Sequence, residues 1–320
     1  MRIVNGSEIT EKTAPTVPTV GRFAPSPSGR MHLGNVFTAL LAWLSVRAAN
    51  GVMLLRVEDL DPDRSKPEYI AALRDDLRWL GLDWDAEMPL QSTRTEAYRG
   101  AFERLSADIY PCYCSRAELH AASAPHASDG ETIYSGTCRA LTDARRKEKT
   151  RPPAWRIRVP DETVAFTDGV FGPVSQNLAR ECGDFILRRS DGVYAYQLAV
   201  VCDDAFGGVT QVVRGADLLG STPRQLWLYH KLSLTPPAYC HVPLLVAPDG
   251  RRLSKRDHDL ELSHLRDTFS AEQIIGSLGY LSGILPYAVK ISAQELISEF
   301  SWEKIGTQPV CVYDFDKFFP

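Results

Sequence analysis

Arg22-Phe23-Ala24-Pro25-Ser26-Pro27-Ser28-Gly29-Arg30-Met31-His32-Leu33-Gly34-Asn35 is the stretch on which the fold reading turns. Thr19 to Phe23, which overlaps its start, reads as a short strand. Pro25, Pro27 and Gly29 break that strand. A helical run follows from about His32 to Ala49, with Leu33, Val36, Leu40, Trp43 and Leu44 at helical spacing, and Asn50-Gly51 closes it. A strand-to-helix turn is where an open α/β sheet binds ligands, outside the carboxyl ends of its strands. The helix N-terminus offers free N–H groups and partial positive charge, which suit phosphate. Gly29 and Gly34 let a nucleotide approach the backbone, and His32 can stabilise charge that develops on a phosphate. Alone, His32 reads more readily as a helix-surface histidine.

Working outward, Val52 to Val57 reads as a buried parallel strand. Ser65-Lys66-Pro67-Glu68 reads as a capping box that opens a helix to Leu80, stopped by Gly81. Thr93-Arg94-Thr95-Glu96 reads as a second box opening a helix to about Ile109. Strand and helix alternating in this order imply a right-handed βαβ unit and a doubly wound parallel sheet. Residues 110–150 break the pattern and read as an insertion. Residues 154–214 read as mostly strand, with a hairpin at Ser190-Asp191-Gly192. Ser221-Thr222-Pro223 reads as the cap of a helix to Leu232, His241 to Ala247 as a strand, and 270–320 as helical, then irregular.

Composition sets outer bounds. The 320 residues carry 36 Lys+Arg against 40 Asp+Glu, a net charge of −4. That excludes a protein that coats nucleic acid by bulk charge, though not one with local basic stretches such as 145–151 and 251–256. No segment approaches the roughly 20 apolar residues of a membrane span. The polar segment 1–18 reads as a flexible tail. Seven cysteines, an odd number without a secretory signal, point to thiols in the cytoplasm.

A second string lies over two hundred residues downstream: Gly250-Arg251-Arg252-Leu253-Ser254-Lys255-Arg256. A loop with Lys255 between arginines can close over a triphosphate and neutralise leaving pyrophosphate; by itself it is an ordinary basic surface loop. The two strings together resemble the paired signatures of class I aminoacyl-tRNA synthetases, usually written HIGH and KMSKS. The wording of the first, with Leu55-Arg56-Val57-Glu58-Asp59-Leu60-Asp61, resembles the glutamyl branch. Asn35 stands where the first signature has its second His, and Arg252 and Arg256 replace the end residues of the second. Asn still offers a donor and Lys255 is retained.

The resemblance covers about 20–270 and implies an ATP site made by His32, Gly34, Asn35, Arg252, Leu253, Ser254, Lys255 and Arg256, with His32 and Lys255 catalytic and Mg²⁺ accompanying ATP. It implies a glutamate site in which Arg22 and Arg214 pair with carboxylates, Glu58 meets the ammonium group, and Ser26 and Tyr196 add hydrogen bonds, beside Phe23, Ala24 and Pro25. Arg214 also invites that role on its own: a charge ending the apolar run Val212-Val213 needs a partner.

Cys112-Tyr113-Cys114 and Tyr134-Ser135-Gly136-Thr137-Cys138 bring three thiols together in sequence. Zinc takes four ligands in a tetrahedron, and histidine is the ordinary fourth, so His120 and His126 are candidates. The spacing also resembles the zinc site of one branch of this family, which implies Tyr134 as the fourth ligand of one structural Zn²⁺.

About 60 residues follow the second signature, too few for the anticodon-binding domain of a full glutamyl enzyme. A synthetase core with a Cys/Tyr insertion and no such domain resembles the glutamyl-queuosine tRNA(Asp) synthetases. That resemblance implies tRNA-independent activation of L-glutamate by ATP, then transfer to queuosine in the anticodon stem-loop of tRNA(Asp), by a monomer away from any membrane. Three other readings stand beside it: an enzyme charging a tRNA acceptor end, a non-catalytic tRNA-binding module, and a different adenylate-forming ligase with another acceptor. The expected organisation is a tail (1–18), the first half of a Rossmann-like domain (19–109), a zinc-binding insertion (110–150), the rest of the catalytic domain with an acceptor-binding region (151–260) and a helical C-terminal region (261–320).

Overall fold

The computed structural model describes residues 18–115, 118, 133–251, 253 and 260–312. The quoted stretch joins strand β1 (Val20–Phe23) to helix α1 (Leu33–Ala48), as its reading predicts. Helix α1 is apolar on nearly every face, and Leu33, Phe37, Leu40, Leu41 and Leu44 are almost fully buried. A helix of that composition belongs at the centre of a domain. It packs on β1 and β2 (Val52–Leu55) on one side and on C-terminal helices on the other. Gly21 permits the close approach, since a Cβ there would collide with the Val46 side chain.

Strand β2 pairs parallel with β1, Arg22 opposite Leu54 and Phe23 opposite Leu55. Helix α2 (Pro67–Trp79) leads to β3 (Ala86–Glu87), which extends this parallel sheet. Helix α3 (Thr95–Arg104) follows. Strand β4 (Ile109–Cys112) begins an antiparallel layer. After short helix α4 (Asp143–Lys147) come β5 (Ala154–Ile157), the hairpin β6 (Thr163–Asp168) and β7 (Gly172–Asn177), and β8 (Phe185–Arg188). Strands β4, β5 and β8 form one antiparallel sheet and β6–β7 another. Helix α5 (Tyr196–Phe206) returns the chain to the parallel layer, where β9 (Gln211–Gly215) pairs with β10 (Ala238–Val242) across helix α6 (Thr222–Lys231). The Thr210 N–H donates to Val20 O at 2.9 Å, which sets the head of β9 beside β1. The short strand β11 (Leu245–Val246) pairs with β12 (Val310–Cys311), after helices α7 (Leu262–Thr268), α8 (Ala271–Leu281) and α9 (Ala293–Leu296).

Several expectations are corrected. The sheet is not parallel throughout: among the described strands only β1–β2–β3, β9–β10 and β11–β12 pair in parallel. Residues 196–206 are helical, although their Val and Tyr content reads as strand; the segment buries Leu198, Val201 and Asp204 between α3 and α6. Tertiary packing overrides the β propensity there. Neither early capping box forms. Lys66 and Arg94 hold the N-cap positions without a side-chain cap, and Thr93 Oγ1 donates back to Leu90 O at 2.7 Å. Helix α3 stops at Arg104, and Ile109 already belongs to β4. Ser221 does not cap α6; its hydroxyl accepts from Gln197 at 3.1 Å. Strand β2 ends at Leu55 rather than Val57. Among the described residues no helix is long and apolar enough to cross a membrane.

Candidate active site

The carboxyl ends of β1, β2 and β9 open onto one cleft of about 580 Å³, with the N-termini of α1 and α5 at its edge. Every described residue expected to hold glutamate or nucleotide lines it: Arg22 to Ser26, Glu58, Tyr196 and Arg214, together with His32, Gly34, Asn35 and Leu253. Arg252, Ser254, Lys255 and Arg256 lie outside the described residues.

The first signature is built as a helix cap. His32 is the N-cap of α1; its Nδ1 accepts from the Gly34 N–H at 3.1 Å, and Asn35 Oδ1 accepts from the His32 N–H at 3.1 Å. The two side chains thus satisfy backbone donors of the first turn reciprocally. Asn35, which departs from the usual His, therefore has a structural task that an amide carbonyl can perform.

At the floor of the cleft two arginines share a carboxylate. Arg22 Nε donates to Asp204 Oδ1 at 3.2 Å and its Nη1 to Val213 O at 3.2 Å. Arg56 Nη1 donates to the same Asp204 oxygen, and Arg56 Nη2 to Glu58 Oε1 at 3.1 Å. The Arg56 N–H donates to Phe23 O and the Glu58 N–H to Pro25 O, which seats Glu58 beside the first signature. Burial would raise the Asp204 carboxyl, but Arg56 and Arg22 hold it below the usual aspartate value. Glu58 goes the other way: burial pushes it above the usual glutamate value despite both arginines.

Arg214 is held differently. It is 4% exposed at the end of β9. Its Nε donates to His241 Nε2 at 3.0 Å, Nη1 to Gln225 Oε1 at 2.8 Å and Tyr196 OH at 3.3 Å, and Nη2 to Thr222 Oγ1 at 2.8 Å and Leu218 O at 3.3 Å. Imidazole, amide, phenol, hydroxyl and carbonyl groups all accept from it. No carboxylate among the described residues does so.

Away from the cleft, Cys112, Cys114 and Cys138 place their sulfurs within 4.8 Å of one another. Cys114 Sγ lies 3.6 Å from Cys138 Sγ, and the Tyr134 hydroxyl is 3.5 Å from Cys112 Sγ and 3.9 Å from Cys114 Sγ. Ligands about 2.3 Å from a tetrahedral ion stand roughly 3.8 Å apart, so the donor set fits zinc. Burial would raise the Cys112 thiol, but hydrogen bonding with Tyr134, the Cys114 N–H and Arg156 holds it below its usual value. His120 and His126 lie outside the described residues.

Comparison with known proteins follows the same lines. Residues 18–301 match the catalytic-domain family of class I tRNA synthetases (E and Q). The chain is 50% identical over 307 residues to the glutamyl-Q tRNA(Asp) synthetase of Nitratidesulfovibrio vulgaris, covering 91% of this chain and 94% of that one. It is 48% identical over 306 residues to the enzyme of the same name from Symbiobacterium thermophilum, again covering 91% and 94%. The chain belongs to the glutamyl-Q tRNA(Asp) synthetase family. Among solved structures it is similar to a glutamate tRNA ligase from Elizabethkingia meningosepticum, determined in complex with its amino acid. That likeness has a TM-score of 0.78 at 25% identity and covers 94% of this chain and 68% of the ligase.

As a glutamyl-Q tRNA(Asp) synthetase family member the protein is a ligase with a class I catalytic domain of mixed α/β content, a class that uses ATP with Mg²⁺. Sequence reasoning did not find the buried groups that hold Arg22 and Arg214. Asp204 comes from a helix read as strand, and Asp168 and His241 from strands given no role. The available signal was acids inside apolar runs, as in Val200-Val201-Cys202-Asp203-Asp204.

Proposed function

We propose that this synthetase activates L-glutamate with ATP, without tRNA, and passes the glutamyl group to queuosine at the wobble position of tRNA(Asp). The observation that carries the reading is Arg214, a buried guanidinium facing the cleft whose hydrogen-bond partners among the described residues are all neutral. A substrate carboxylate supplies the missing counter-charge. Arg22 binds the second carboxylate, and Glu58 meets the ammonium group. Ser26 and Tyr196 fix the orientation. The α1 N-terminus, with His32, Gly34 and Asn35, takes the phosphates, and the side chains of Arg252, Ser254, Lys255 and Arg256 offset their charge.

In the first step the glutamate α-carboxylate attacks the α-phosphorus of ATP and pyrophosphate leaves. In the second, a hydroxyl of the queuosine cyclopentenediol attacks the adenylate carbonyl and AMP leaves. The protein works by positioning and charge complementarity. Mg²⁺ offsets the charge of the phosphates when bound. Cys112, Cys114, Cys138 and Tyr134 hold one structural Zn²⁺ that staples residues 110–150, a stretch poor in apolar side chains. The acceptor is the anticodon stem-loop, and the enzyme is a cytoplasmic monomer; all seven cysteines are among the described residues and none is in a disulfide, in keeping with a reducing compartment.

The test offers labelled glutamate with queuosine-containing tRNA(Asp) or with tRNA(Glu). Transfer to tRNA(Asp), with nucleoside mass spectrometry placing the label on queuosine, is expected. Charging of tRNA(Glu) alone overturns the reading, and absence of glutamate-dependent ATP–pyrophosphate exchange favours the non-catalytic module. Metal analysis should give one zinc per chain, lost in Cys138→Ser.

A further inference from the structure

We propose that Asp168 and His241 are a positioning pair that aims Arg214 at glutamate without cancelling its charge. The inference rests on Arg214 binding the substrate carboxylate.

Asp168 ends β6, at the tip of the β6–β7 hairpin, and is 2% exposed. His241 is fully buried in β10, paired in register with Arg214 of β9. Asp168 Oδ2 lies 2.6 Å from His241 Nδ1, and both carboxylate oxygens accept from the His241 backbone N–H at 3.1 Å. Oδ1 also accepts from the Val170 and Phe171 N–H groups at 3.0 Å each. The carboxylate is thereby fixed from several sides.

A carboxylate only accepts, so the imidazole proton must sit on Nδ1. An arginine only donates, so Nε2 must be bare where Arg214 Nε meets it at 3.0 Å. The two neighbours force one tautomer from opposite ends. Burial and the Arg214 charge agree with this, holding the imidazole below its usual value although Asp168 favours the charged form. Tyr239 completes the mount: its ring stacks on His241, and the Arg214 guanidinium lies 5.1 Å from its centroid.

The design contrasts with a direct ion pair. A carboxylate in the place of His241 would hold the guanidinium equally well and consume its charge. A neutral imidazole transmits the orientation of Asp168 and leaves the charge for the substrate.

His241→Gln and His241→Asn separate the two ends of the pair. Glutamine puts a carbonyl oxygen near the Nε2 position, facing Arg214. Asparagine keeps a donor near the Nδ1 position, facing Asp168, and offers Arg214 nothing. KM for glutamate and for ATP are measured by pyrophosphate exchange, with thermal unfolding showing that both variants fold. The expected result is a glutamate KM raised about tenfold in His241→Asn, with the ATP KM within about twofold of wild type, and His241→Gln within about threefold for both. Asp168→Asn, which turns a donor toward Nδ1 and drives the proton onto Nε2, should act like His241→Asn. An unchanged glutamate KM in His241→Asn and Asp168→Asn, or equal rises for glutamate and ATP, overturns the inference. Arg214→Ala in the same assay tests the underlying reading separately: no effect there removes Arg214 from the glutamate site whatever the His241 variants do.

Discussion

Arg22 and Arg214 are both 4% exposed, both penultimate in their strands at the cleft, and are managed in opposite ways. Arg22 has a carboxylate, Asp204, which it shares with Arg56. Arg214 has a ring of neutral acceptors. A buried charge beside a fixed counter-charge is a structural unit; removing one partner strands the other. A buried charge solvated only by dipoles retains most of its field, and that field is what draws an anion. On this view Arg22 belongs to the scaffold and the site together, and Arg214 chiefly to the site.

The largest expected effect tests the scaffold half. Asp204→Asn leaves Arg22 without its carboxylate and Arg56 with Glu58 alone. Unfolding in urea should show a loss of about 3–5 kcal/mol. A loss below about 1 kcal/mol would mean that the shared carboxylate does not organise the cleft floor.

The next effect tests the other half. Arg214→Ala should lower kcat/KM for glutamate in pyrophosphate exchange by about 10²–10³-fold. Its unfolding free energy should change less than that of Asp204→Asn, because no buried carboxylate is stranded. If the two variants lose equal stability, the contrast between the arginines is wrong.

How much of this was legible beforehand follows from how local each feature is. The β1–α1 turn announces itself within fourteen residues, through Pro25, Pro27, Gly29 and the apolar face that begins at Leu33. Arg214 was legible because a charge ending an apolar strand is rare without a partner. The cysteine cluster was legible in its spacing, and the fold brings Tyr134 to it. The partners were not legible. Arg22 and Asp204 lie 182 positions apart, and Asp168 and His241 lie 73 apart. No periodicity encodes such pairings; they appear only when the β6–β7 hairpin and α5 are seated against the parallel layer. Helix α5 was misread for a related reason. Val200 and Val201 favour strand locally, and the helix exists because its buried face is covered by α3 and α6.

A smaller effect concerns pH. Asp204 lies below its ordinary value of 3.8, so its contribution to stability is complete above that value and is lost as pH falls through the depressed one. Glu58 lies above its ordinary value of 4.5, so its contribution has the opposite sense: present below that value and lost as pH rises through the raised one. Urea unfolding across about pH 2 to 7 should show Asp204→Asn flattening the limb below 3.8 and Glu58→Gln flattening the limb above 4.5. Both variants flattening the same side would contradict the opposite placement of the two carboxyls.

The smallest effect isolates one acceptor of Arg214. Tyr196 begins α5 and offers its phenol oxygen to Arg214 Nη1 at 3.3 Å, a longer contact than those of Gln225 and Thr222. Tyr196→Phe removes that oxygen and keeps the ring. Because three shorter neutral acceptors, His241, Gln225 and Thr222, remain, the guanidinium should stay in place, and only the hydrogen bond expected between the hydroxyl and glutamate should be lost. A weak hydrogen bond of about 0.5–1.5 kcal/mol corresponds to a rise in glutamate KM of roughly two- to tenfold. The ATP KM and the unfolding midpoint should not move. A loss approaching that of Arg214→Ala would show that the ring of neutral acceptors works as a single cooperative unit, so that Arg214 is no more independent of its surroundings than Arg22.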